Sequence, residues 1–128
     1  MRASSSKQAW EILQEEFQGN SKIRTIKLQA LRRELENLKM KETENTKEYC
    51  SRIITMVNQM RAYGEDISEE KVVQKILISL TASYDQVVAA IEESKDLSSL
   101  SVTELMSSLY AHELRLERRK DTTLETTF

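Results

Sequence analysis

Two side chains in this 128-residue chain have the chemistry to suggest a catalytic or metal centre, Cys50 and His112, and each is the only one of its kind. A cysteine nucleophile needs a neighbouring base and a depressed pKa. Nothing close to Cys50 in sequence supplies either, so a buried structural thiol is expected. His112-Glu113 opens like an H-E-x-x-H zinc motif, but Leu116 stands where the second histidine belongs. That leaves a single imidazole, and a lone helical histidine is ordinarily a surface or boundary residue. The acidic pairs Glu15-Glu16, Glu69-Glu70 and Glu92-Glu93 point in different directions on a helix and serve better as solvated partners of the helix dipole. There is no glycine-rich phosphate loop and no G-x-S-x-G elbow. The sequence therefore predicts no catalytic residue, no metal, no cofactor and no small-molecule substrate.

Charge is the next candidate for function. The chain carries a net charge of −2, yet Lys22 to Lys41 holds seven basic residues against Glu34 and Glu36, a net +5. From Glu65 to Asp96 eight acids face three bases, a net −5. Such asymmetry allows copies of the chain to attract one another, and it allows weak phosphate contact through Lys22, Arg24, Lys27, Arg32 and Arg33. No aromatic residues interleave with these cations as single-stranded nucleic-acid sites require, so a solvated face is the simpler reading.

The elements that must position these groups are helices. Two glycines, no proline and 5% aromatic content do not suit sandwiches, barrels or doubly wound sheets, which need many tight turns. An all-α bundle of five to six helices is predicted, as one domain over residues 1–120 with a frayed tail over 121–128. Ser5 and Gln8 form a capping box ahead of Trp10, Leu13 and Phe17, and Gly19 is read as the stop. Asn20 or Ser21 then opens a second helix with Leu28, Leu31, Leu35 and Leu38 on one stripe, ending near Met40.

Thr46 is the expected cap of a third helix whose Tyr49, Ile53, Met56, Met60 and Tyr63 share a face, ended by Gly64. Ser68 caps a short apolar helix with Val72, Val73, Ile76, Leu77 and Leu80. Ser83 and Gln86 box a fifth, with Tyr84, Val87, Val88 and Ile91. After a loop over 95–101, Ser101 and Glu104 box the last, with Val102, Leu105, Leu109 and Leu116. No stretch approaches the ~18 apolar residues of a membrane span and no export signal leads the chain, so a cytoplasmic, reducing environment is expected.

Strings spread along most of the chain resemble a known family. Ala9-Trp10-Glu11-Ile12-Leu13 followed by Glu16-Phe17-Gln18-Gly19-Asn20 is similar to the A-W-x-x-L-x-x-x-F-x-G segment of copia-type LTR retrotransposon Gag polyproteins of plants. Leu38-Lys39-Met40-Lys41-Glu42, Glu48-Tyr49 with Ser51-Arg52, Gly64-Glu65-Asp66-Ile67, and Lys75-Ile76-Leu77 with Ser79-Leu80 resemble it in order and spacing. So do Ala90 through Leu97, Leu105 through Leu109 and Ala111-His112-Glu113, and the set spans roughly residues 7 to 117. Two positions depart from the pattern. Thr81 stands where proline is common, and Cys50 stands where an aromatic is common.

The resemblance implies a structural, self-associating capsid domain similar to a capsid C-terminal lobe, which in the full polyprotein builds virus-like shells around RNA. A preceding lobe and a CCHC zinc knuckle are the expected flanking parts, and one cysteine does not make that knuckle. The expected partner is a second copy, in a homodimer or larger assembly, with helix exchange between copies as one route. Apolar residues in surplus of a small core, Trp10, Phe17, Met56, Met60 and Tyr63, are the expected contact, although a core would claim the same residues. The alternative is a nucleic-acid-binding module that uses Lys22 to Lys41.

Overall fold

The computed structural model describes the backbone of residues 2–127 and the side chains of residues 6–121. The elements are α1 (Arg2–Asn37), α2 (Thr46–Ala62), α3 (Glu69–Ile78), a 3-10 turn (Ala82–Tyr84), α4 (Asp85–Ser94) and α5 (Val102–Thr127). No strand occurs among the described residues, so the fold is all-α as the composition requires. Contacts divide the chain into two compact units, Met1–Glu36 and Asn37–Phe128.

The first unit is α1, where the two helices expected on either side of Gly19 are one. A glycine ends a helix by adopting a left-handed backbone. Gly19 does not adopt one, Gly64 being the glycine with positive φ. Inside a helix glycine costs only about 0.5–1 kcal/mol relative to alanine, which favourable neighbours such as Glu15, Glu16 and Gln18 offset. Asn20 and Ser21 are accordingly interior residues rather than caps. The helix already runs through Ser5, whose side chain lies outside the described residues. It ends at Asn37 instead of near Met40 because the next residues are drawn into the second unit. Leu38 and Met40 are buried there, and Met40 N–H donates to the Ser79 carbonyl at 2.9 Å.

In the second unit α2 packs on α3 and α5, α3 on α5, and α4 on the 3-10 turn and α5. The inward residues of α2 are Tyr49, Cys50, Ile53, Val57 and Met60. This stripe is rotated slightly from the expected one, leaving Met56 and Tyr63 half-buried. Val72, Val73, Ile76 and Leu77 of α3 and Leu105 and Leu109 of α5 complete the centre as their spacing predicts. Tyr49 lies at the middle of it, and its hydroxyl donates to the Ile76 carbonyl at 2.7 Å. That carbonyl is among the last four of α3, which have no partner within the helix.

Caps define the boundaries. Asn45, not Thr46, caps α2, its Oδ1 accepting from Glu48 N–H at 2.8 Å. Asparagine caps at least as well as threonine, and the Thr46 hydroxyl is instead held in the core, 3.0 Å from Tyr84 Oη. Ser68 and Ser101 cap α3 and α5 as expected, accepting from Lys71 and Glu104 N–H. Gly64 at φ 94° closes α2 in a Schellman turn, with Gly64 N–H on the Arg61 carbonyl and Glu65 N–H on the Met60 carbonyl. The Ser83–Gln86 box does not form. Ser83 lies within the 3-10 turn, its hydroxyl paired with Thr81 Oγ1 at 3.0 Å, and α4 begins at Asp85 without a side-chain cap. α5 remains helical to Thr127, and the side chains of the tail expected to fray lie almost wholly outside the described residues.

The two glycines should respond oppositely to a methyl group, since neither has an atom within 4 Å of where a Cβ would stand. Gly19→Ala is expected to raise the far-UV helical signal and stabilise α1 by about 0.5–1 kcal/mol. Gly64→Ala is expected to lower stability by about 1–2 kcal/mol in urea titrations, because its backbone is left-handed.

Candidate functional site

Cys50 is fully buried, and burial first, with the charges of Glu113 and Glu44 after it, pushes its thiol up to about 11. A thiol held there is protonated at neutral pH and does not act as a nucleophile. His112 is also buried, at 7% exposure, where a surface or boundary position was expected. Its Nε2 lies 2.8 Å from the Ser83 carbonyl, which can only accept, so this nitrogen carries the proton. The ring is tilted against that of Tyr84, 5.3 Å between centroids. The spacing held the signal for this position. Leu105, Leu109 and Leu116 leave one step of their stripe open, and that step is His112.

Around His112 the polar groups satisfy one another. Tyr84 joins Thr46 through its hydroxyl, and burial raises its pKa. Beside them lies an open cleft of about 350 Å³ bordered by Lys41, Glu44, Thr81, Tyr84, Glu113 and Lys120. Its lining holds four acids, Glu42, Glu44, Glu113 and Glu117, against Lys41 and Lys120, and Glu44 is already engaged. Both Arg52 Nε and Nη2 donate to the Glu44 carboxylate, Nη2 at 2.7 Å to Oε1, and Lys41 N–H donates to the same oxygen at 3.0 Å. Arg52 Nη2 reaches the Lys39 carbonyl as well, at 2.9 Å. The Arg52 hydrogen bonds hold the Glu44 carboxyl below the usual carboxylate range. Among the described residues no three of His, Cys, Asp and Glu are grouped to hold a metal ion.

Of the acidic pairs, Glu69 has a role that its own helix dipole does not explain. Its Oε1 accepts from Val102 N–H at 2.9 Å, closing the start of α5 from the start of α3. Glu15, Glu16, Glu70, Glu92 and Glu93 are exposed, as the solvated reading predicts.

The five residues expected at a contact surface fall into different environments. Trp10 and Phe17, on α1, are 61% and 75% exposed and line a shallow groove with Leu13, Gln14 and Gln18. On α2, Met56 and Tyr63 are half-buried and Met60, at 3%, belongs to the core. The expected phosphate contacts Lys22, Arg24, Lys27, Arg32 and Arg33 are all exposed on α1. At 100° per residue they are spread around the helix, with Arg24 on the side of Trp10 and Lys22 and Arg33 away from it.

The family model for the gag-polypeptide of LTR copia-type matches residues 1–122. This chain belongs to the copia-type LTR gag polypeptide family. No curated protein and no solved structure matches it. No helix among the described residues of this gag polypeptide is long and apolar enough to cross a membrane. The two sequence departures are both accommodated. Thr81 holds φ at −69°, the angle that a proline ring would impose, and Cys50 fills a fully enclosed position of the core.

The gag polypeptide should lose the Glu44 contribution in acid. The folded pKa of this group lies below its unfolded value of about 4.5, so its stabilisation is complete above that pH and is lost as pH falls through the folded value. Glu44→Gln is expected to cost about 1 kcal/mol at pH 7 and to flatten the acid limb of a stability-against-pH curve below about pH 4.5. An acid limb identical to that of the wild type would show that other carboxyls govern it.

Proposed function

We propose that this gag polypeptide is a structural, non-enzymatic capsid-type segment that associates with further copies of itself in assembling a shell around RNA in the cytoplasm. The observation that carries this reading is the family match over residues 1–122. The environments of the reactive groups support it. The thiol is sealed, the imidazole spends its proton on a backbone carbonyl, and the half-buried Glu44 carboxylate is paired with arginine. Apolar surface is available to a partner on α1, where Trp10 and Phe17 stand in water, and in smaller amount at Ile78, Tyr110 and Leu114 of the second unit. Contiguous exposed apolar groups of this size are characteristic of protein contact sites. RNA contact has a secondary place in this reading, through the exposed cations from Lys22 to Arg33, because they do not form one stripe.

Light scattering coupled to size-exclusion chromatography tests the proposal. The expected mass is at least twice the 14.9 kDa of one chain at high concentration, and it should persist at moderate salt because apolar contacts are not screened. RNA retention, being phosphate-driven, should fall steeply between about 50 and 200 mM salt. Monomer at every concentration and salt would overturn the self-association.

A further inference from the structure

The first compact unit is one helix, so it has no core of its own in which to bury an apolar face. Its large apolar residues nevertheless follow a rule. Trp10, Leu13 and Phe17 are repeated in spacing by Leu28, Leu31 and Leu35, eighteen residues further on. Eighteen residues are five turns at 3.6 residues per turn, so the two triplets lie on one face of α1. The stripe also reads nearly the same backwards. If a second α1 runs in the opposite direction with its centre at Lys22-Ile23, Trp10 meets Leu35, Phe17 meets Leu28, and Leu13 meets the turn that holds Leu31.

Charge selects the same orientation. Residues 6–17 hold three acids and one base, a net −2, while residues 22–33 hold five bases and no acid. With the centre at Lys22-Ile23, residues 12–17, which hold Glu15 and Glu16, face residues 28–33 of the second copy, which hold Arg32 and Arg33. A −2 segment then lies on a +2 segment, whereas parallel copies would set the five bases of residues 22–33 on themselves. One pair of positions sharpens this. Glu16 and Lys27 are eleven residues apart, about three turns, and therefore share one flank of the stripe. In the antiparallel register each Glu16 stands beside the second copy's Lys27, and the two-fold symmetry makes the pair twice. Trp10 and Phe17 are more than half exposed and each carries about 150–250 Å² of side-chain surface, so two copies withdraw several hundred Å² of aromatic surface from water, to which the aliphatic residues of the stripe must add to reach the roughly 1,200 Å² of a stable interface. Leu28, Leu31 and Leu35 are half-buried within the chain and offer these aromatics the part of each side chain that stays in water.

We infer that α1 is a self-recognition helix, pairing antiparallel with α1 of a second copy through the Trp10–Leu35 stripe, with Glu16 and Lys27 setting the register. This rests on the self-association proposed above and specifies the surface and geometry that carry it. The test is charge exchange in the full chain, followed by sedimentation and light scattering, with circular dichroism to confirm helix content. Both positions are exposed, so the fold should not change. Glu16→Lys alone and Lys27→Glu alone are each expected to weaken dimerisation about tenfold, as two weak pairs per dimer become repulsive. The double variant should return to within about threefold of wild type, and Phe17→Ser should weaken association more than either single charge change. A Glu16→Cys/Lys27→Cys chain should oxidise to a covalent dimer while Glu16→Cys alone does not. Wild-type association that is indifferent to these changes, running through the Ile12, Ile23 and Ile26 side of α1 or through the second unit, would overturn this inference and leave the proposed function standing. Single variants that weaken without rescue in the double would overturn the antiparallel register. A monomeric wild type would overturn both.

Discussion

A helix leaves its first four N–H and last four C=O groups without partners, and that requirement organises the second unit of this chain. With no proline and a single left-handed glycine, half of the ends of α2 to α5 are closed by side chains. Asn45, Ser68 and Ser101 close three helix starts from within their own turns. Further terminal groups are answered across the fold. Tyr49 of α2 answers the Ile76 carbonyl of α3, Glu69 of α3 answers Val102 N–H of α5, and His112 of α5 answers the Ser83 carbonyl in the 3-10 turn. Each bond joins two elements while satisfying one, so boundaries and packing are decided together. Where the group is fully buried, as the Ile76 carbonyl is, leaving it unpaired costs about 1–3 kcal/mol, comparable with the loss of a small core side chain.

The same requirement accounts for how the residues that look reactive are held. An imidazole whose Nε2 proton rests on a carbonyl, a tyrosine whose hydroxyl rests on Thr46, and a carboxylate held by arginine are spent on structure. Residues of these types in a catalytic site would retain an unsatisfied face toward a substrate. Here the buried polar side-chain atoms among the described residues all have partners. The large apolar side chains left in water lie mostly on α1, with Ile78 of α3 and Tyr110 and Leu114 of α5 exposed as well.

Local signals were legible in the sequence where one turn of helix decides the outcome. The starts at Ser68 and Ser101, the stop at Gly64, the apolar face of α3 and the buried Cys50 all follow from adjacent residues. The misread features depend on distant partners or on competition between neighbours. Thr46 looked like a cap because its hydroxyl's true partner, Tyr84, is 38 residues away. Ser83 looked like one because its pairing with Thr81 and the pull of His112 on its carbonyl do not show locally. Gly19 was read as a stop because glycine is permissive, and permission is not instruction. Of the candidate surface, Trp10 and Phe17 were readable as bulky residues in surplus, whereas Met60 sits on the same kind of pattern and is core.

The bond from Glu69 to Val102 has a kinetic meaning. Its partners are 33 residues apart, so closing that segment costs about 3 kcal/mol of chain entropy before the contact returns anything. The start of α5 is therefore complete only after α3, the 3-10 turn and α4 have brought the chain back on itself. The contacts that precede it, within α2, α3 and the Gly64 turn, are close in sequence, which is the topology of chains that fold rapidly. The packing of α2 on α5 needs the same return of the chain, so the contacts of highest sequence separation in this unit share one loop-closure cost.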